Sequence, residues 1–72
     1  MTANLYSIPD PDLLHETVRK DAKHYEGKFG YAPTEIRIHP RYVVDVTEIA
    51  GLKVVPDTRI TGYEYVLTDG EF

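Results

Sequence analysis

The sequence predicts a small α+β domain: a three- to four-stranded sheet packed against one long N-terminal helix, with a short second helix. Three observations lead there. Apolar residues recur at helical spacing from Leu14 to Phe29, residues around Ile36 and around Tyr65 alternate with the period of a strand, and Pro and Gly punctuate the boundaries between these stretches.

Residues 4–8 read as a short first strand, in which Leu5 and Tyr6 begin an apolar alternation that Pro9 stops. Asp10-Pro11-Asp12 then reads as a helix start. Asp10 can accept from the free amides, Pro11 suits the first helical position, and Asp12 sits at the positive end of the dipole. Leu14, Val18, Ala22, Tyr25 and Phe29 form one apolar stripe, widened by Leu13. This predicts a helix over about residues 11–27, ended by a left-handed glycine at Gly27 or Gly30.

After the connector Tyr31-Ala32-Pro33, residues 34–39 alternate, with Ile36 and Ile38 on one face and Glu35, Arg37 and His39 on the other. Residues 41–50 read two ways. Val43, Val44, Val46, Thr47 and Ile49 favour a strand by propensity. Their spacing, however, sets Tyr42, Val43, Val46, Ile49 and Ala50 on one helical face, with Pro40 as a first helical residue and Gly51-Leu52 as a helix end. The spacing outweighs the propensity, so a short helix is expected. Leu52 to Val55 is an apolar strand closed by Pro56-Asp57, and residues 63–68 form the last strand, with Tyr63, Tyr65 and Leu67 on one face. Strands 34–39 and 52–56 are candidates for parallel neighbours joined by a right-handed crossover.

Seventy-two residues make one domain, residues 1–72. A chain of this size hides only about 60% of its unfolded surface. Without cysteine it has neither a disulfide nor a thiolate metal site, so oligomerisation is the expected source of further stability. The apolar share of 42% beside 28% charged residues excludes a disordered chain. No apolar run approaches the ~20 residues that cross a bilayer, so no membrane role is expected. The opening residues carry neither the basic region nor the apolar core of a secretory signal, which points to the cytoplasm, of a host if a phage encodes the chain. A net charge of −4 disfavours a phosphate-backbone binder.

Candidate chemistry is sparse. His15 and His24 lie nine residues apart on the expected helix and face opposite sides, so one subunit cannot chelate a metal with both. His39 ends a strand. Ser7 is the lone serine and lacks the glycine-rich elbow that exposes a nucleophile. Gly27-Lys28-Phe29-Gly30 has no following Lys-Ser/Thr and no strand directly before it, so it is not a phosphate loop. No catalytic residue, metal ligand or cofactor is assigned. Arg19, Lys20 and Lys23, beside His15, are the candidates for nucleic-acid contact, although Glu16, Asp21 and Glu26 make an ordinary solvated face the simpler reading. Six tyrosines are the most distinctive enrichment, and tyrosine suits both half-wet cores and interfaces. Tyr25 is assigned to the core. Tyr63 and Tyr65 share a strand face, for which burial in the core is the favoured reading and an edge or exposed sheet surface the other; with Tyr42 they are the candidates for a protein interface.

Residues 31–69 carry a further cadence. Gly-Tyr-Ala-Pro-Thr-Glu-Ile-Arg-Ile-His-Pro runs into a short segment, then Ile-Ala-Gly-Leu-Lys-Val-Val-Pro-Asp, then Tyr-Glu-Tyr-Val-Leu-Thr-Asp-Gly. This resembles a segment in the axial domain of tailed-phage major capsid proteins and the related encapsulin shells. There, a strand ending in Asn/His-Pro precedes a helix, and a Gly-Leu-Pro/Lys-Val-Val strand leads to a hairpin. The chain has no room for the spine helix and extended arm of a shell subunit, so the resemblance implies phage association rather than a capsid role, and it transfers no site residues.

The expectation is therefore a non-enzymatic protein–protein interaction module, homodimeric, encoded by a phage or mobile element as an accessory or regulatory protein. A nucleic-acid-associated protein using Arg19, Lys20 and Lys23 is the alternative. A small enzyme with its site at a subunit junction ranks third.

Overall fold

Alternating side chains and well-placed breakers organise the described residues into five strands and one α-helix. The computed structural model describes residues 2–70. Among these, β1 spans Ala3–Ser7, α1 Leu14–Phe29, β2 Glu35–Ile38, β3 Glu48–Ile49, β4 Leu52–Pro56 and β5 Glu64–Thr68. The strands form one mixed sheet in the order β1-β5-β2-β4-β3. The pairs β1/β5, β2/β5 and β3/β4 are antiparallel, while β2 and β4 are parallel neighbours.

The helix starts where its capping residues lie. Asp10 accepts the Asp12 amide at 3.0 Å, and Pro11 opens a single 3-10 turn, Pro11–Leu13, that leads into α1. The helix runs two residues beyond the expected end at residue 27. Gly27 stays helical, and Gly30 makes the stop at φ 83°, its amide bonding to Glu26 O at 2.8 Å. The Leu14–Val18–Ala22–Tyr25–Phe29 stripe lies on the sheet, with Leu14, Val18 and Tyr25 buried. Ile36, Ile38, Leu52, Val54, Tyr65 and Leu67 meet it from below. Burying each such side chain contributes about 1.5–3 kcal/mol.

Residues 41–50 overturn the expected second helix, and they raise the strand count from three or four to five. Pro40 does begin a helical turn, with His39 Nδ1 accepting the Arg41 amide at 3.1 Å, but the turn is 3-10 and ends at Tyr42. Asp45, at φ 59°, takes the backbone out of any helix. Ala50 and Gly51, at φ 52° and 81°, supply the two positive angles of a type I′ hairpin turn. That hairpin pairs Glu48 with Lys53 and Ile49 with Leu52. Gly51 is thus a hairpin residue, and β-propensity prevails because Ile49, 1% exposed, fills the core as a strand residue.

The face away from α1 is covered in part by the loop after β4. The Asp57 amide bonds to Ile38 O at 2.9 Å, and Ile60, like Val66 of β5, is buried on that side.

Candidate functional site: the edge strand β1

The tyrosines expected at an interface separate once folded. β5 lies inside the sheet, between β1 and β2, so Tyr65 sits on neither an edge nor an open surface. It is fully buried against α1, its hydroxyl donating to the Asp21 carboxylate, so it belongs to the core and is removed from the interface candidates. Tyr42 is half-buried and donates to Gly62 O. Tyr63 precedes β5 and is 75% exposed, the only one of the three that presents its ring to solvent.

Arg19, Lys20 and Lys23 line a shallow groove on the outer face of α1, and Glu16 shares it. The one carboxylate within the group offsets part of the local positive charge. His24 is engaged with Tyr6, Nδ1 to hydroxyl at 3.1 Å with the rings edge to face, and His39 serves as the turn cap. Among the described residues no three His, Cys, Asp or Glu side chains form a group able to hold a metal ion, and no helix is long and apolar enough to cross a membrane.

Two polar clusters fasten the chain. Tyr25, Tyr31 and Asp69 converge on Thr2: Thr2 Oγ1 and the Tyr31 hydroxyl share a 2.6 Å bond, Tyr31 donates to Asp69 at 3.2 Å, and Tyr25 bonds to Thr2. On the far face Asp57 accepts from Arg59 N, Nε and Nη2 at 2.9, 3.0 and 2.7 Å, and Arg37 Nη1 stands 3.6 Å away. The bonds from Arg59 hold the Asp57 carboxyl down to about 2. All of these contacts lie within the subunit.

The sheet's two edges are unlike. At one end β3 is two residues long and carries Glu48, features that discourage strand addition. At the other end β1 runs five residues, Ala-Asn-Leu-Tyr-Ser, with no charge and no proline. The ladder fixes which way its backbone points. Ile8 N bonds to Tyr63 O at 2.7 Å and Asp69 N to Thr2 O at 3.2 Å, so the even-numbered residues between them, Asn4 and Tyr6, aim their amides and carbonyls at β5. Ala3, Leu5 and Ser7 aim theirs outward, where the described residues provide no further strand. Their side chains lie on the face away from α1. Leu5 is 55% exposed there, beside an apolar groove of about 320 Å³ lined by Ala3, Asn4, Leu5, Ile60 and Val66.

Sequence reasoning found β1 but not its position. The uncharged run was visible. What makes it an edge is the insertion of the last strand, β5, between the first and the second, and no local signal announces that.

Comparison of the chain with protein-family models, curated proteins and solved structures finds no match.

Proposed function

We propose that the chain is a small non-enzymatic protein–protein interaction module, an accessory or regulatory factor that binds through the β1 edge and the apolar groove beside it. One observation carries the reading: a five-residue uncharged edge strand with half-exposed Leu5 at its centre, opposite an edge that is short and charged. An uncapped edge of this kind is a template for main-chain pairing, and an adjoining apolar groove adds side-chain selectivity.

The test is a photo-cross-linking residue placed at position 5, compared with one at Val44, which is 74% exposed on a loop away from the strands. In the native cell, position 5 is expected to give a discrete protein adduct that Ser7→Lys suppresses, and position 44 none. Equal, diffuse labelling from both positions defeats the reading.

A further inference from the structure

We propose that the partner at this edge is a second copy of the chain, paired antiparallel along β1 about a two-fold axis at Leu5, so that two five-stranded sheets continue as one. The proposal rests on the edge reading above and names its occupant.

The register of β1 is self-complementary. The residues that aim outward are Ala3, Leu5 and Ser7, evenly disposed about Leu5. With the axis at Leu5, Ala3 meets the partner's Ser7, Leu5 the partner's Leu5, and Ser7 the partner's Ala3, and each pair exchanges both main-chain bonds. Moving the axis one residue toward the C-terminus, to Tyr6, slides the register by two and sets Ala3 opposite Pro9, which has no N–H to give. No charge lies in β1, so the two-fold brings no like charges into opposition.

The side chains agree with the backbone. Leu5 stands opposite Val66 in the β1/β5 ladder. Across the axis, Val66, Leu5, the partner's Leu5 and the partner's Val66 form one apolar row on the face away from α1, with Ile60 at the groove beside it. That row covers the part of Leu5 that the subunit leaves in solvent. α1 reaches β1 on one face of the sheet only, through His24 on Tyr6 and Lys28 on Asn4, whereas the free main-chain groups of Ala3, Leu5 and Ser7 point sideways in the plane of the sheet. The contact is one short strand and a shallow groove, smaller than the roughly 1,200 Å² at which stable complexes begin. A dimer that dissociates in the micromolar range is expected.

The chain has no cysteine, which makes a single introduced thiol diagnostic. Facing residues in a hydrogen-bonded antiparallel pair stand about 5.5 Å apart at Cα, within the roughly 4.4–6.8 Å a disulfide spans. Mild oxidation of purified Leu5→Cys at about 100 μM is expected to give the covalent dimer at least ten times faster than Ala3→Cys or Val44→Cys. An equimolar mixture of Ala3→Cys and Ser7→Cys is expected to cross-link to each other. Sedimentation velocity of the wild type is expected to show dimers that Leu5→Lys weakens at least tenfold. Leu5 is half-exposed in the subunit, so that variant is expected to keep the wild-type near-ultraviolet circular dichroism. A wild type still monomeric at about 1 mM, or Leu5→Cys oxidising no faster than Val44→Cys, overturns the proposal. If either occurs while position 5 still gives an in-cell adduct with a different protein, the edge reading stands and only the self-pairing is lost. If the adduct is missing too, both fall.

Discussion

The Tyr65 hydroxyl donates a hydrogen bond to the Asp21 carboxylate, joining an inner strand of the sheet to α1 across 44 residues of chain. The ring is fully buried and lies 5.9 Å from that of Tyr6. Burial first, then the bond to Asp21 and its negative charge, push the Tyr65 phenol well above the usual 10.0. A tyrosine that the sequence leaves open between core and interface has found the partner for its polar tip inside the subunit.

Tyr65→Phe removes that bond while keeping the ring. It is expected to cost about 1–2 kcal/mol in urea unfolding at pH 7, since the acceptor is a carboxylate. The pH dependence has a definite sign. A phenol whose folded pKa is raised contributes stability that is complete below the unfolded value of 10.0 and is lost as pH rises past it. Wild-type stability is expected to fall from about pH 10 upward, and the Phe variant to fall less steeply. Tyr25, whose phenol burial also raises, keeps part of the slope in both proteins. Parallel slopes for the two proteins contradict the assignment.

Asp57 predicts the opposite limb. Its carboxyl is held at about 2 against an ordinary 3.8, chiefly by bonds from Arg59. A depressed folded pKa contributes stability that is present above the unfolded value and lost as pH falls through the folded one, here between about pH 4 and pH 2. Asp57→Asn is therefore expected to be less stable than wild type at pH 7, with the difference shrinking across that window. A thermal-melt series from pH 7 to pH 2 checks it. A gap that stays constant shows that the charge on Asp57 is not the source.

The same physics explains which elements were legible. The α1 stripe and the β2 alternation were readable because a single buried face imposes a period, and Val18, Tyr25, Ile36 and Ile38 are all 0% exposed. Residues 41–50 misled because Tyr42, Val43, Val46, Ile49 and Ala50 match a helical face by spacing, although their burial comes from a 3-10 turn, a bend at Asp45 and a two-residue strand. Ala50 at φ 52° is the least readable of these, because nothing in its side chain calls for a left-handed backbone. Strand order was hidden as well: β5 pairs with both β1 and β2 through contacts distant in sequence, and so the exposed character of the β1 edge was not visible.

Val18 tests the packing of helix on sheet. It is fully buried in the middle of the α1 stripe. Val18→Ala removes the equivalent of two methylene groups at about 0.8 kcal/mol each and leaves a cavity besides, so about 2 kcal/mol is expected. In a domain of this size that lowers the melting temperature by about 4–8 °C per kcal/mol. Thr17→Ala, one position away and half-buried, is expected to change it by less than about 0.5 kcal/mol. Similar losses from both would mean that α1 does not rest on its Val18 side.

The two glycines near the end of α1 give a paired prediction with opposite signs. A Cβ built on either meets no atom within 4 Å, so crowding cannot distinguish them and only the backbone can. Gly27 lies within the helix, where alanine loses less conformational freedom on folding, and Gly27→Ala is expected to stabilise by about 0.5–1 kcal/mol. Gly30 sits at φ 83°, a left-handed angle that strains any residue with a Cβ, and Gly30→Ala is expected to destabilise by about 1–2 kcal/mol. Chemical denaturation of the two variants side by side decides it. If Gly27→Ala destabilised and Gly30→Ala did not, the helix would end a turn earlier, at the first glycine.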